Sequence, residues 1–106
     1  MTRERVASLD GLKPGTAIKV VIDGVPIAVV RESKGDVHAL GDRCSHGDIS
    51  LSEGFVEEDT IECWAHGSKF DLCTGSPRNF PAHEPVPVFA VEIDGDDIFV
   101  NTEIRK

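Results

Sequence analysis

Two short groups of side chains in this sequence could hold a metal: Cys44-Ser45-His46 and Cys63-Trp64-Ala65-His66, with 16 residues between His46 and Cys63. Thiolate and imidazole both ligate zinc and iron. Each group is followed by a glycine, Gly47 or Gly67, the residue a loop uses where its backbone must bend sharply or approach a bound group closely. Such groups suit two loops that clasp one metal centre from opposite sides. A cysteine–histidine nucleophile would need one group only and leave the other unexplained. The odd cysteine, Cys73, has no histidine beside it and is expected as a buried or half-buried free thiol. His38, on a strand, and His83, among prolines, also lack a paired cysteine and are read as structural or surface residues.

The elements that must position these loops are strands. Ile18, Val20 and Ile22 alternate, then Val25, Ile27 and Val29 do so again after Asp23-Gly24. Asp-Gly between two alternating runs is a strong signal for a type I′ hairpin. Phe89, Val91 and Ile93 lead into Asp94-Gly95, and Ile98 to Val100 forms the return strand of a second hairpin. Shorter strands are expected at Val37 to Leu40, Thr60 to Cys63 and Lys69 to Leu72. No stretch of ten residues has apolar positions at helical spacing, and ten Gly with six Pro distribute turns along the chain. The expected fold class is all-β.

At 106 residues the chain has the size of one domain. Its 40% hydrophobic and 28% charged content fits a folded globular protein. Between Gly41 and Pro81 lie all three cysteines, two of the four histidines and the only Trp, while the flanks are ordinary alternating strands. The economical division is a base from residues 1–41 and 82–106 carrying an inserted functional subdomain at about 42–81. Eleven Lys and Arg against nineteen Asp and Glu give a net charge of −8, which argues against a nucleic-acid partner, because phosphate binding needs clustered cations. The apolar runs fall far short of the ~20 residues of a membrane span. Met1 to Val6 is charged and followed by no apolar signal core, so a cytoplasmic address is expected. In that compartment cysteines point to metal binding or reactivity rather than disulfides. The acidic runs Glu57-Glu58-Asp59 and Asp94-Gly95-Asp96-Asp97 fall at turns and read as solvated surface.

The pattern C-x-H-x16-C-x-x-H resembles the Rieske iron–sulfur signature. The runs Cys44-Ser45-His46-Gly47-Asp48, Leu51-Ser52-Glu53-Gly54 and Cys63 to Asp71 resemble the ferredoxin components of bacterial ring-hydroxylating dioxygenases. The resemblance implies Rieske-like antiparallel sheets with an inserted cluster-binding subdomain, and one [2Fe–2S] cluster per chain. It would place Cys44 and Cys63 on one iron and His46 and His66 on the other, with Gly47, Trp64, Gly67, Ser68 and Phe70 around them. Pro81-Ala82-His83-Glu84-Pro85-Val86-Pro87 resembles the proline-containing loop that packs over the cluster in that family. A tetrahedral Cys₂His₂ zinc site is the chemical rival, but C-x-H is tight for a zinc half-site, and the matched glycines favour the cluster.

Two thiolates neutralise a [2Fe–2S] core that is 2+ when oxidised, which is why Rieske centres lie at about −150 to +300 mV against about −400 mV for plant-type all-cysteine ferredoxins. Respiratory Rieske proteins carry a disulfide between their loops. Here Ile49 and Ala65 stand at those places, and Phe70 replaces a tyrosine, although Ser68 is present. Fewer hydrogen bonds to sulfur imply the low end of the range.

The implied role is a soluble one-electron carrier between a flavin-containing NAD(P)H reductase and a terminal oxygenase, with no catalysis of its own. A mononuclear iron would need two further histidines and a carboxylate, and only His38 and His83 remain. Alternatives are the Rieske-like small subunit of a cytoplasmic nitrite reductase and a structural zinc-binding interaction module. For a carrier of this charge, carboxylates would steer docking onto basic patches; Asp42, Asp48 and Glu53 flank the first loop and are the expected docking charges.

Overall fold

The computed structural model describes residues 3–43, 49–65, 67–79 and 84–105, the last with side chains to 102. Among the described residues nine strands run in chain order: β1 (Glu4–Ser8), β2 (Thr16–Ile22), β3 (Val25–Arg31), β4 (Val37–Gly41), β5 (Phe55–Glu57), β6 (Thr60–Glu62), β7 (Lys69–Asp71), β8 (Val88–Asp94) and β9 (Asp97–Arg105). One 3-10 turn, Leu51–Glu53, is the only helical element among the described residues. The chain is all-β and antiparallel throughout, with a six-stranded sheet in the order β1-β9-β8-β4-β3-β2 and a three-stranded sheet in the order β5-β6-β7.

Both expected hairpins are present. β2 and β3 pair from Thr16↔Arg31 to Ile22↔Val25, and the turn places Asp23 at φ 50° and Gly24 at φ 80°, the left-handed pair a type I′ turn requires. β8 and β9 pair through Asp94↔Asp97. Two strands escaped the sequence reading. β1, sequence ERVAS, is mostly polar and lies along β9 with its register shifted between Arg5 and Ala7, and β5 has only three residues. Arg3 and Arg5 bind β1 to the second hairpin, at 2.9 Å from Glu92 and 2.7 Å from Asp97.

Strand β3 explains how the two sheets hold together. Ile27, Ala28, Val29 and Val30 are all fully buried. Successive strand residues face opposite sides, so this run serves two cores. Ile27 and Val29 enter one with Leu12, Ala39, Phe89 and Ile98. Ala28 and Val30 enter the other with Leu40, Leu51, Ile61, Cys63, Phe70 and Val88. A strand buried on both faces reads as a continuous apolar run rather than an alternation. Arg31, at its end, donates from Nη1 to the carbonyls of Leu9 (2.8 Å) and Leu12 (3.0 Å) and so fastens the loop between β1 and β2. No helix of the described residues is long and apolar enough to cross a membrane.

The second core sets a stability prediction. Leu40→Ala, at a fully buried site shared by both sheets, should lower unfolding free energy by about 2 to 5 kcal/mol. Val21→Ala, on the 61% exposed face of β2, should change it by about 0.5 kcal/mol or less. Urea denaturation of the two variants checks the contrast.

Candidate metal centre

Four residues were singled out as ligands. Cys63 is described; Cys44, His46 and His66 lie outside the described residues, as do Gly47, Asp48 and the 81–83 part of the proline loop with His83. The structure therefore bears on the centre through Cys63 and through the frame around both loops. Among the described residues no group of three His, Cys, Asp or Glu gathers to hold a metal ion.

The first loop leaves β4 and returns at Ser50, where an isolated bridge pairs Arg43 with Ser50. Asp42 ties it. The Asp42 carbonyl accepts from Leu51 N–H at 2.5 Å, while its carboxylate accepts from Ser52 N–H at 2.8 Å and from the Ser50 hydroxyl. Asp42 is 2% exposed, which overturns its reading as a docking charge. It closes the base of the loop instead, and its charge is taken up by hydrogen-bond donors, as burial of a carboxylate demands. Glu53 is exposed, in keeping with the surface position read for it.

The second loop runs from β6 to β7. Cys63 is fully buried and free of any disulfide, its N–H donates to Ser68 carbonyl at 2.7 Å, and its carbonyl accepts from Gly67 N–H at 2.9 Å. Gly67 takes φ +74°, a left-handed turn that a β-carbon disfavours. The loops are brought together by close packing. At Gly54, just past the 3-10 turn, a β-carbon would stand 1.9 Å from the carbonyl of Glu62, the residue before Cys63; Ile49 and Leu51 from the first loop join the apolar cluster that contains Cys63.

Ser68 and Phe70 are fully buried. Trp64 is 50% exposed and so is not a core residue. Cys73 is exposed, against the expectation of burial. Phe70 and Leu72 face inward from β7 and its continuation, so the next position in the alternation faces out, where Asp71 Oδ1 accepts from the Cys73 and Thr74 N–H groups at 2.8 and 3.1 Å. His38 is buried with Nε2 at 2.7 Å from Glu32 Oε2, in keeping with a structural role, and its Nδ1 has no hydrogen-bond partner among the described residues.

Sequence reasoning missed two residues that brace this loop. The Arg78 guanidinium sits between Asp59, at 3.0 and 3.2 Å, and Asp71, at 2.5 Å. Asn79 donates to Gly67 carbonyl at 3.0 Å and accepts from Lys69 N–H at 2.7 Å. Neither pairing follows a local spacing, so no sequence signal could have found them.

A buried, unpaired thiol at the entry of a loop that turns through a left-handed glycine fits a thiolate ligand to a bound metal group. The Rieske [2Fe–2S] domain model matches residues 2–90. A ferredoxin component of biphenyl 2,3-dioxygenase from Rhodococcus jostii (strain RHA1) is 37% identical over 103 residues, covering 97% of this chain and 95% of that protein. The ferredoxin of carbazole 1,9a-dioxygenase from Nocardioides aromaticivorans IC177 superposes with a TM-score of 0.88 at 38% identity, over 94% of this chain and 97% of that one. A ferredoxin chain solved in a complex of reduced oxygenase and oxidized ferredoxin in carbazole 1,9a-dioxygenase matches at 37% identity and a TM-score of 0.85, over 92% of this chain and 100% of that one.

This chain belongs to the Rieske [2Fe–2S] domain family. It is a ferredoxin-type electron carrier, an electron-transfer component rather than an enzyme, and its cofactor is a [2Fe–2S] cluster.

The Arg78 hydrogen bonds hold the Asp59 and Asp71 carboxyls below their ordinary value of 3.8, with burial opposing and the Thr74 and Cys73 N–H groups assisting at Asp71. A carboxyl whose native pKa is depressed contributes stability above its unfolded pKa and loses it as pH falls through the native one. Arg78→Ala should therefore lower the urea midpoint at pH 7. The gap to the unsubstituted chain should narrow below pH 3.8 and close as the native carboxyls protonate; a gap that persists undiminished in acid would show that Arg78 acts by packing alone.

Proposed function

We propose that Cys44, His46, Cys63 and His66 hold one [2Fe–2S] cluster per chain, the cysteines on one iron and the histidines on the other. We propose further that the chain passes single electrons from a flavin-containing NAD(P)H reductase to a terminal, ring-hydroxylating non-heme-iron oxygenase. The observation that carries the ligand reading is the buried, unpaired Cys63 thiol, which shares one apolar cluster with Ile49 and Leu51 of the opposite loop. A cluster bound by mixed thiolate and imidazole ligands accepts and returns one electron at a potential above that of all-cysteine clusters.

The remaining chemistry belongs to the chain. Gly47 and Gly67 let backbone approach the centre, Ser68 brings a hydroxyl into the buried side, and the half-exposed Trp64 serves as a water-excluding cover for the cluster. Phe70 offers no hydroxyl to a sulfur, which supports a potential at the low end of the Rieske range. Residues 42–81 act as a cluster-binding subdomain on a base of 1–41 and 82–106, within one domain and in the cytoplasm. The oxygenase partner is supported by the related ferredoxin solved with its oxygenase, and the ring-hydroxylating class by the biphenyl dioxygenase relative.

The purified chain should contain two irons and two acid-labile sulfides, and replacing Cys44, His46, Cys63 or His66 by Ala should remove or grossly destabilise the cluster, whereas Cys73→Ser should leave it intact. Stoichiometric zinc without sulfide would overturn the assignment. Stable co-purification with a large redox subunit would favour the nitrite reductase alternative over a freely diffusing carrier.

Electron transfer should slow as salt is added, because steering by a chain of charge −8 is screened beyond a Debye length of about 8 Å at physiological ionic strength. Glu53→Lys, beside the first loop, should slow reduction by the cognate reductase at low salt more than Asp96→Lys at the turn of the β8–β9 hairpin. Stopped-flow rates across ionic strength decide the matter, and a salt-independent rate would place docking on apolar contacts instead.

A further inference from the structure

We propose that Asn79 is a positioning residue for the second cluster loop, holding the peptide groups on either side of Ser68 from outside the ligand motif. The inference rests on the ligand assignment above, which is tested separately by the iron and sulfide content of the cysteine and histidine variants.

The segment after β7 folds back along it. Phe70 and Pro77 form an isolated antiparallel bridge, flanked by Asp71 N–H donating to Ser76 carbonyl at 2.9 Å and Arg78 N–H donating to Lys69 carbonyl at 2.7 Å. In a regular antiparallel ladder a hydrogen-bonded pair exchanges two bonds, so Lys69 N–H would return to Arg78 carbonyl. It goes instead to Asn79 Oδ1, at 2.7 Å. The same carboxamide donates from Nδ2 to Gly67 carbonyl at 3.0 Å. Its side chain thus substitutes for a backbone peptide and extends the pairing past the end of β7 onto the loop itself.

The segment 67–69 is consequently held on both edges. On the inner side Ser68 carbonyl accepts from Cys63 N–H, and Gly67 N–H reaches Cys63 carbonyl. On the outer side Asn79 grips Gly67 and Lys69. The anchor for that grip is Arg78, whose side chain is fixed to Asp59 and Asp71, so that Asn79 holds the loop instead of following it. The chemistry suits the residue: a carboxamide carries an acceptor and a donor on two separate atoms of one planar end, so it can bond the two backbone groups at once. Lys69 N–H demands the oxygen and Gly67 carbonyl the nitrogen, which also settles the amide orientation.

His66 directly precedes this gripped segment and Cys63 lies across it, so the two proposed ligands of this loop share the constraint. Asn79→Ala removes both bonds. Asn79→Asp keeps the acceptor for Lys69 and replaces the donor with an oxygen facing Gly67 carbonyl.

The test compares both variants with the unsubstituted holoprotein in four measurements: cluster loss to an iron chelator, electron paramagnetic resonance of the reduced state, amide exchange at Lys69 and the urea midpoint. Both variants should lose cluster about tenfold faster, the factor expected when hydrogen bonds of ordinary net strength are lost, and should show shifted g values. Lys69 exchange should accelerate in Asn79→Ala and stay slow in Asn79→Asp. Unchanged cluster loss and g values in either variant would overturn the proposal. So would faster loss that merely tracks a lowered urea midpoint with g values unmoved, because that pattern means general destabilisation.

Discussion

The burial of β3 on both faces is the constraint on which the rest of this molecule depends. Its four consecutive fully buried residues commit Ile27 and Val29 to one core and Ala28 and Val30 to another. A shift by one residue would exchange the two sets, so the strand's register fixes how the large sheet sits against everything built on the second core. That second core contains Phe70 from the small sheet, Cys63 just past its strand β6, and Leu51 from the turn after the first loop. The placement of the thiol is therefore a consequence of packing at a distance from it, and close-packed interiors transmit such constraints because they have little free volume to absorb a shift.

Packing alone would leave the loops loose, since loop backbone needs its polar groups satisfied. Each loop is closed by a side chain that the ligand motif does not include. Asp42 does this for the first, with a carbonyl and a carboxylate that together take three donors from residues 50–52. Asn79 does it for the second. The two solutions differ because their surroundings differ: Asp42 is buried, where a carboxylate must be fully hydrogen-bonded, and Asn79 is at the surface, where a neutral amide can bond a donor and an acceptor at once.

The local parts of this arrangement were legible in the sequence. Alternation with Asp23-Gly24 and with Asp94-Gly95 gave both hairpins, and the spacing of Cys and His with their trailing glycines marked the loops, because these signals act over a few residues. β1 and β5 were not legible: one is mostly polar and the other three residues long, and both exist through partners far along the chain. Asp42 was misread for a related reason. Its neighbours in sequence are charged or small, and only the return of Ser50 and Ser52 buries it. Cys73 was misread although the alternation from Phe70 was available to place it outward.

The same distinction separates chemistry from precision in the site. Residue type and spacing say which atoms can bind a metal group, because donor chemistry is intrinsic to Cys and His. How firmly those atoms are held depends on contacts such as the Glu62 carbonyl pressed against Gly54 and the Arg78 guanidinium bridging Asp59 and Asp71, which join segments 7 to 19 residues apart. A carrier that gains and loses one electron works best when its surroundings need not rearrange with each change of charge. Preorganised dipoles avoid that reorganisation only if the frame behind them is rigid. In this chain the frame consists of a doubly buried strand and two side-chain ties, and none of the three lies in the motif that announces the metal.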